Sequence, residues 1–218
     1  MNLATLIRDI QTALGITADG VAGPQTWAAI HAKLCGVPAN KAGAFDTFVA
    51  ANNERVDERS EKQIATLHTR VQPYARALVL KAQQRGITIV VTSGTRSYAE
   101  QDALFNQPRD GKDNDGDGRI DESDERVTRA PAGYSNHNFG LAFDVTIFSD
   151  GKPVWESPNY KAVGSMGMGL GLEWGGNWTL ITDEPHFELR PQWARDLSER
   201  DMLAELRRRK TLNMDAFA

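Results

Sequence analysis

Residues 135–148 read SNHNFGLAFDVTIF, a polar turn followed by a run of apolar and β-branched residues. The run from Leu141 to Phe148 is typical of a buried strand. Two further strands are predicted, one at residues 87–92 (ITIVVT) and one around His186–Leu189. Helical patterns separate the three strands without a regular βαβ alternation. This order predicts an α+β fold rather than a doubly wound sheet.

Apolar residues between positions 64 and 78 recur every three or four positions, which predicts one long amphipathic helix that ends at Gly86. They are Ile64, Leu67, Val71, Tyr74 and Leu78. Shorter helices are predicted at 98–106 and 160–170, the second weakened by its glycines. A last helix, at 193–210, ends in four basic residues. It is predicted either to dock on the domain or to be attracted to an anionic wall or outer membrane.

Length and composition exclude several classes of protein. A chain of 218 residues, 40% apolar and 25% charged, suits one globular domain with a small second module. It contains no apolar run near the roughly 20 residues that span a bilayer, so stable membrane insertion is not expected. The single cysteine, Cys35, cannot form an internal disulfide, which leaves histidines and carboxylates as metal ligands. Arg8 and Asp9 interrupt the first apolar stretch, so we expect no export signal and synthesis in the host cytoplasm.

Two of the four histidines lie near carboxylates in a pattern that suggests metal chemistry. His137 precedes Asp144 by seven residues, and Asp183 precedes His186 by three. Two imidazoles and one carboxylate are a common ligand set of catalytic zinc and leave a fourth position open to water. A carboxylate three residues from a ligand histidine can lie beside the metal and act as a general base. Asp183 fits that role, and Glu184 is its main competitor.

Four motifs occur in a fixed order along the chain. They are SGTRSYAEQ (93–101), SNHNFGLAFD (135–144), GLEWGG (171–176) and DEPHFELRP (183–191). Their order and spacing resemble those of the VanY-like, LAS-type zinc peptidases, above all the phage endolysins of the L-alanyl-D-glutamate peptidase type. The resemblance extends from near Val56 to near Gln192. It implies an α+β domain with a small antiparallel sheet and flanking helices.

The resemblance also implies roles for individual residues. His137, Asp144 and His186 match the zinc ligands of the family, Asp183 its general base, and Arg96 the arginine that steadies the developing oxyanion. A fixed cation near developing negative charge does lower a reaction barrier.

Four more residues are expected near the substrate. Ser135 would hydrogen-bond within the site, or else serve only as a turn or cap residue. Gln101 would brace the segment that carries Arg96. Trp174, with Trp178, would line the substrate groove, or else form part of the local core.

The segment 110–125 concentrates negative charge. It carries a net charge of −6, against +2 for the rest of the chain, so nucleic acid is not an expected partner. Within it, DNDGDGRIDESD (113–124) fits a twelve-residue calcium loop. The predicted calcium ligands are Asp113, Asp115, Asp117, the carbonyl of Arg119, Asp121 and Asp124, with Gly118 at the sharp turn and Ile120 anchored in the core.

This calcium loop departs from the usual pattern. Asp124 stands where a glutamate is usual and is a poorer bidentate ligand, unless Glu125 substitutes for it. Pro108 and Gly111 prevent a standard flanking helix. A merely solvated acidic loop is the alternative. Because the loop joins the Arg96 and Ser135 segments, calcium binding would order the active geometry and promote activity.

The first 36 residues contain two short helical patterns separated by turn residues. Residues 14–30 (LGITADGVAGPQTWAAI) resemble the repeat of small peptidoglycan-binding modules, although those modules are usually longer. Trp27 would lie on the apolar side of the second helix. We predict an all-α module at 1–36, a linker at 37–44 and a peptidase domain at 45–218. The module would bind cell wall, or else be a packing appendage.

Three functions remain open at this point. The first and preferred one is a zinc endopeptidase that cuts L-alanyl-D-glutamate bonds in peptidoglycan, as a monomeric phage lysis enzyme that reaches the wall after release. The second is a D-alanyl-D-alanine carboxypeptidase or dipeptidase on the same scaffold. The third is a non-catalytic wall-binding protein, against which Asp183 and Arg96 together argue.

Overall fold

A computed structural model describes residues 2–16 and 54–218, together with residues 18, 20, 22, 26, 29, 30 and 33. The predicted linker at 37–44 lies outside the described residues, as does most of the predicted second helix, including Trp27. Among the described residues, none of the helices is both long and apolar enough to cross a bilayer.

The predicted first helix is confirmed as α1 (Leu3–Ala13). It begins after Asn2, whose side chain accepts a hydrogen bond from the backbone N–H of Thr5 at 2.8 Å. Gln11 is buried near the end of this helix. Its side chain accepts from the N–H of Gly20 at 2.8 Å and donates to Oγ1 of Thr26 at 2.9 Å. The helix is therefore tied to the segment that follows it.

The domain is built on one antiparallel sheet, and the predicted α+β fold is confirmed. Its strands are β1 (Thr88–Ser93), β2 (Ala142–Ser149), β3 (Lys152–Val154), β4 (Glu173–Trp174) and β5 (His186–Glu188). Their order is β1-β2-β5-β4. Strand β5 pairs with the first half of β2, and β3 pairs with its last three residues. The register places Asp144 opposite Ser93 on one side and His186 on the other. Chemistry-bearing residues of three strands therefore meet at one level of the sheet.

Alternation along the strands separates the core from the site. Phe143, Val145 and Phe187 are fully buried in the main core, and the Phe143 and Phe187 rings stack with centroids 5.9 Å apart. Because successive side chains point to opposite faces, Asp144 and His186 lie on the other face. Each large apolar side chain buried in this way contributes about 1.5–3 kcal/mol of stability.

The prediction of one long helix over residues 64–78 is wrong. Two helices form instead, α2 (Glu58–Ile64) and α3 (Gln72–Gln83), although Ile64 and Leu78 are buried as expected. Between them the N–H of His68 donates to the Gly140 carbonyl at 3.0 Å, outside any helix. A contact with a distant turn therefore interrupts the pattern. Gly86 adopts the left-handed conformation (φ 72°) after α3, as predicted.

The predicted helix after β1 is confirmed as α4 (Tyr98–Asn106). Its start is fixed by a capping box. The Ser97 side chain accepts from the N–H of Glu100 at 3.1 Å, and the Glu100 carboxylate accepts from the N–H of Ser97 at 2.7 Å. Such a cap sets the direction in which the helix leaves the Arg96 segment.

Helix α5 (Asn159–Gly169) confirms the prediction for this region, and its glycines have a packing role. A Cβ atom on Gly164 would lie 2.3 Å from the Trp174 ring, and one on Gly167 would lie 2.4 Å from the Phe187 ring. Both distances are far too short for a side chain. The glycines therefore weaken the isolated helix but allow it to pack directly on β4 and β5.

Helix α6 (Glu199–Thr211) docks on the domain through its apolar side and through its basic end. Arg207 donates to the Gly133 carbonyl at 2.9 Å, and Lys210 donates to the Asn138 carbonyl at 2.8 Å. The Lys210 ammonium also lies 4.6 Å from the centre of the Tyr98 ring. These contacts favour the docked helix over a free basic surface.

Candidate metal centre

Three donor atoms form a near-equilateral triangle on the face of the sheet opposite Phe143 and Phe187. His137 lies in a 3₁₀ turn (Asn136–Phe139), Asp144 on β2 and His186 on β5. Nε2 of His137, Oδ1 of Asp144 and Nδ1 of His186 are each 3.3 Å from the other two. The structure thus brings together the three residues predicted as zinc ligands. We call these three residues the metal centre.

The spacing and chemistry of this donor set fit zinc. Zinc binds nitrogen and oxygen donors at about 2.0–2.1 Å in a tetrahedral arrangement, which separates neighbouring donors by roughly 3.3–3.4 Å. Two imidazole nitrogens also disfavour calcium or magnesium, which prefer oxygen donors. Three protein donors leave a fourth tetrahedral position free for water or substrate.

The second ring nitrogen of each histidine is held by a neighbour. Nδ1 of His137 lies 2.8 Å from the Gly94 carbonyl, and Nε2 of His186 lies 2.9 Å from Oε2 of Glu188. A carbonyl or carboxylate oxygen can only accept, so these two nitrogens carry protons. The opposite ring nitrogens therefore face the centre of the triangle as the metal-binding atoms.

Electrostatic effects in the metal centre are strong. Burial alone would raise the pKa of Asp144, but His137 and His186 hold it well below its usual range. Burial lowers the pKa of His186, yet the Asp144 and Glu188 carboxylates outweigh it and raise the pKa to about 10.

Arg96 lies directly beside the ligands. Its Nη2 donates to Oδ2 of Asp144 at 2.7 Å and to Oγ of Ser93 at 3.1 Å, and its Nη1 lies 3.4 Å from Oε1 of Gln101. The Asn138 side chain also donates to the Arg96 carbonyl at 3.0 Å. Arg96 therefore orients Asp144 in addition to placing a positive charge at the edge of the site.

Asp183 reaches the site from the loop between β4 and β5. Its backbone N–H donates to the Gly175 carbonyl at 3.1 Å, and its carbonyl accepts from the N–H of His186 at 3.2 Å. A Cβ atom on Gly175 would lie 2.5 Å from the Asp183 carbonyl oxygen, so only glycine permits this approach. Burial raises the pKa of Asp183, nearby Asp144 raises it further, and His186 partly offsets both.

Two of these four residues are buried supports. Gln101 is fully buried and donates to the Ala130 carbonyl at 2.7 Å, which suits a bracing role only. Trp174 is 7% exposed, and its indole N–H donates to the Glu184 carbonyl at 2.8 Å. The burial of Gln101 agrees with its expected bracing role, and the burial of Trp174 favours the local core over the substrate groove.

The other two residues remain accessible. Ser135 is partly exposed at the start of the 3₁₀ turn, where its side chain makes no capping hydrogen bond. Trp178 is 40% exposed, and the centre of its ring lies 4.8 Å from that of His186. Of Trp174 and Trp178, only Trp178 is therefore both solvent-accessible and adjacent to His186.

Glu188 is a residue that sequence reasoning missed. It is 3% exposed and contacts His186 from the same face of β5. The available signal was the period of two along the strand, since His186 and Glu188 are separated by one residue.

The acidic segment 110–125 forms a loop at the surface, which we call the acidic loop. Asp113, Asp115 and Asp117 each bring a carboxylate oxygen within 4.8 Å of the other two. Asp113 accepts from the N–H groups of Gly116 at 2.6 Å and Gly118 at 2.9 Å, and these bonds lower its pKa. Three of the predicted calcium ligands therefore converge in this structure.

The rest of the acidic loop differs from the prediction in part. Arg119, Asp121 and Asp124 are exposed, and Oδ1 of Asp121 accepts from the N–H of Gly111 at 2.7 Å. Ile120 is 58% exposed, so the expectation that it anchors the loop in the core is wrong.

Glu125 folds into the acidic loop and is 4% exposed. Its carboxylate accepts from the N–H of Asn114 at 2.7 Å and from the N–H of Glu122 at 3.0 Å. Glu125, rather than Asp124, therefore closes the loop.

Comparisons with known proteins match the part of the chain that contains the metal centre. A peptidase M15 family model described as D-alanyl-D-alanine carboxypeptidase matches residues 128–189. The peptidoglycan L-alanyl-D-glutamate endopeptidase CwlK of Bacillus subtilis (strain 168) is 36% identical over 135 residues, which cover 57% of this chain and 74% of CwlK.

Two solved structures are more distant neighbours. The L-Ala D-Glu endopeptidase ChiX of Serratia marcescens has a TM-score of 0.44 and 23% identity, over 64% of this chain and 92% of ChiX. A mutant of the vancomycin resistance D,D-pentapeptidase VanY, in complex with Zn(II), has a TM-score of 0.44 and 20% identity. That match covers 63% of this chain and 78% of VanY.

Proposed function

This chain belongs to the peptidase M15 family and is a metallopeptidase, and we propose that it hydrolyses the L-alanyl-D-glutamate bond of peptidoglycan stem peptides with zinc as cofactor. The observation that carries the proposal is the triangle of donor atoms from His137, Asp144 and His186, whose 3.3 Å edges fit tetrahedral zinc. The similarity to CwlK supports this choice of scissile bond.

The surrounding residues suit a hydrolytic mechanism. Bound zinc would supply a Lewis acid for the scissile carbonyl and would acidify a water molecule. The Asp183 carboxylate takes a proton from the attacking water and delivers it to the departing amine nitrogen. Its raised pKa brings it nearer to neutral pH, where one group can serve both as base and as acid. The Arg96 guanidinium places positive charge where the oxyanion develops.

The products of peptidoglycan digestion test the proposed bond. Purified peptidoglycan would be digested with the zinc-loaded full chain in the presence of calcium, and the new termini identified by mass spectrometry. Fragments that begin with D-glutamate are expected. A parallel digestion with Asp183→Ala controls for contaminating hydrolases. No cleavage by the zinc-loaded chain would overturn the proposal and favour a wall-binding protein.

A D-alanyl-D-alanine carboxypeptidase is the second candidate. The description of the family model that matches residues 128–189 favours it. The same digestion separates the two activities, because the carboxypeptidase would release free D-alanine and leave the L-alanyl-D-glutamate bond intact.

Calcium modulation is a further part of the proposal. The convergence of Asp113, Asp115 and Asp117, with Glu125 closing the acidic loop, supports calcium binding between the Arg96 and Ser135 segments. Calcium would then order the connection that joins two parts of the site. The zinc-loaded enzyme should be faster with calcium than in calcium-free buffer. Equal rates would contradict an effect of calcium on catalysis and leave it at most a stabilising role.

The biological setting is proposed from the resemblance of the sequence motifs to those of phage endolysins. The chain would act on the bacterial wall as a monomeric lysis enzyme, made in the host cytoplasm and released to the wall. Residues 1–36 would bind peptidoglycan, and residues 45–218 would form the peptidase domain. Cosedimentation of the full chain with purified peptidoglycan tests whether residues 1–36 bind it. Trp27→Ala should lower the fraction of the chain that cosediments. Unchanged cosedimentation would favour a packing appendage.

A further inference from the structure

Glu188 is buried directly behind the metal centre. Its Oε2 lies 2.9 Å from Nε2 of His186 and 2.8 Å from the side-chain nitrogen of Asn136. A carboxylate with 3% exposure loses most of its hydration, which is costly unless strong hydrogen bonds replace it. Its position therefore requires partners, and one of them is a metal ligand.

The partner Asn136 links Glu188 to the other histidine. Asn136 precedes His137 in the 3₁₀ turn, and its side-chain nitrogen also donates to Oε1 of Glu199 at 2.8 Å. Glu199 in turn accepts from Nη1 of Arg190 at 3.0 Å. The segments that carry His137 and His186 thus share one polar network that extends from buried Glu188 to exposed Glu199, and Glu188 is the member of it that touches His186.

We infer that Glu188 is a positioning residue, whose carboxylate holds the proton of His186 on Nε2 and turns Nδ1 toward the metal. The inference rests on the proposed zinc site. A histidine ligand that loses such a partner can rotate or adopt the other tautomer, and it then binds metal less tightly. Loss of an outer partner of this kind typically costs about 10–100-fold in metal affinity.

Three variants of the full chain test this role. Glu188→Met removes the acceptor at similar size, and Glu188→Gln keeps an acceptor oxygen but removes the charge. Glu199→Gln is the matched control, because it makes the same charge change in the same network without touching His186. Folding of each metal-free variant would be checked by circular dichroism.

The first readout is the zinc dissociation constant, measured by competition with a chromophoric chelator. Glu188→Met should weaken zinc binding by about 10–100-fold, with Glu188→Gln intermediate. Glu199→Gln should change it by less than about threefold, since it lacks direct contact with the ligand. If Glu188→Met does not fold, the contrast between the two Gln variants decides.

The second readout is the tautomer of His186, from long-range ¹H–¹⁵N NMR spectra of the zinc-loaded protein. Wild-type protein should show a protonated Nε2, and the Glu188→Met spectrum should differ. Tight zinc binding by wild type together with equal affinity in Glu188→Met would overturn this inference alone. Failure of the wild-type chain to bind zinc would overturn the proposed metal centre and this inference with it.

Discussion

The metal centre and the acidic loop both gather carboxylates, but they hold them in different ways. In the metal centre, Asp144 is fixed by sheet register and by Arg96, a residue distant in the sequence. In the acidic loop, Asp113 is exposed and accepts hydrogen bonds from the loop's own backbone, at Gly116 and Gly118. A site built across strands keeps its geometry through the core, whereas a site built within one loop depends on that loop alone.

The largest expected effect separates Asp183, the proposed proton carrier, from the carboxylates of the acidic loop. Asp183→Ala should lower turnover by about 10²–10⁴-fold with zinc content intact, because it removes the proposed proton carrier. Kinetics on purified peptidoglycan and metal analysis measure both quantities. Asp124→Ala in the acidic loop is the control and should leave zinc content unchanged. Normal turnover in Asp183→Ala would mean that the base is misassigned, with Glu184 the next residue to test.

A pair of identical substitutions compares the two regions directly. Asp144→Asn should weaken zinc binding by on the order of 100-fold, because it removes the negative charge of one proposed ligand and the ion pair with Arg96. Asp113→Asn should change zinc affinity by no more than about twofold, since it shares no partner with the metal centre. Chelator competition measures both constants. Similar losses in the two variants would show that the regions are coupled.

Calcium should stabilise the acidic loop and, to a smaller extent, the whole chain. Excess calcium at modest affinity is expected to add about 1–2 kcal/mol, which corresponds to a rise in Tm of roughly 2–8 °C for a domain of this size. Differential scanning fluorimetry of the zinc-loaded protein measures the shift. Asp113→Asn should abolish it, and Asp144→Asn should retain it. A calcium shift that survives Asp113→Asn would place the ion elsewhere.

The smallest expected effect concerns carboxylates crowded behind the metal centre. Burial, followed by Glu188 across the strand pair, raises the pKa of Glu173 from 4.5 to about 7. Ionised Glu173 therefore destabilises the folded state increasingly as pH rises from 4.5 through 7. Glu173→Gln should remove this penalty and gain stability at pH 8 but not at pH 4.5.

The gain should be modest, because the Glu173 side chain is 41% exposed and solvent screens its charge. We expect about 1 kcal/mol or less. Denaturant unfolding at the two pH values measures it, and Glu58→Gln on the exposed side of α2 is the matched control. A difference between Glu173→Gln and wild type that does not vary with pH would contradict the pKa argument.

Much of the fold was predictable from the sequence because the deciding signals are local. Short apolar runs rich in β-branched residues predicted β1 and β2, and a further strand was predicted where β5 lies. The cap at Ser97 accompanies a helix whose bounds match the prediction. The break between α2 and α3 was not predictable, since the Gly140 carbonyl that accepts from His68 is remote in the sequence. The two-residue strand β4 was missed because so short a segment shows no period.

In the candidate site too, sequence signals identified some residues, whereas contacts between distant segments decided others. Spacing and resemblance identified the three residues that now form a triangle, although their binding of zinc stays a prediction. Sequence could not show that Gln101 and Trp174 are buried, because burial is decided by neighbours from other elements. Glu188 was missed for a related reason, since a glutamate in a strand is usually solvent-facing. Its role depends on Asn136, which belongs to another segment.

The glycines of α5 also bear on protein engineering. Replacing a helical glycine by alanine usually increases stability by up to about 1 kcal/mol, so routine stabilisation schemes would select Gly164 and Gly167. Here the added methyl group would collide with Trp174 or Phe187 and push β4 and β5 away from the helix. Because His186 lies on β5, we expect substitutions at these two positions to lower metal affinity without raising thermal stability.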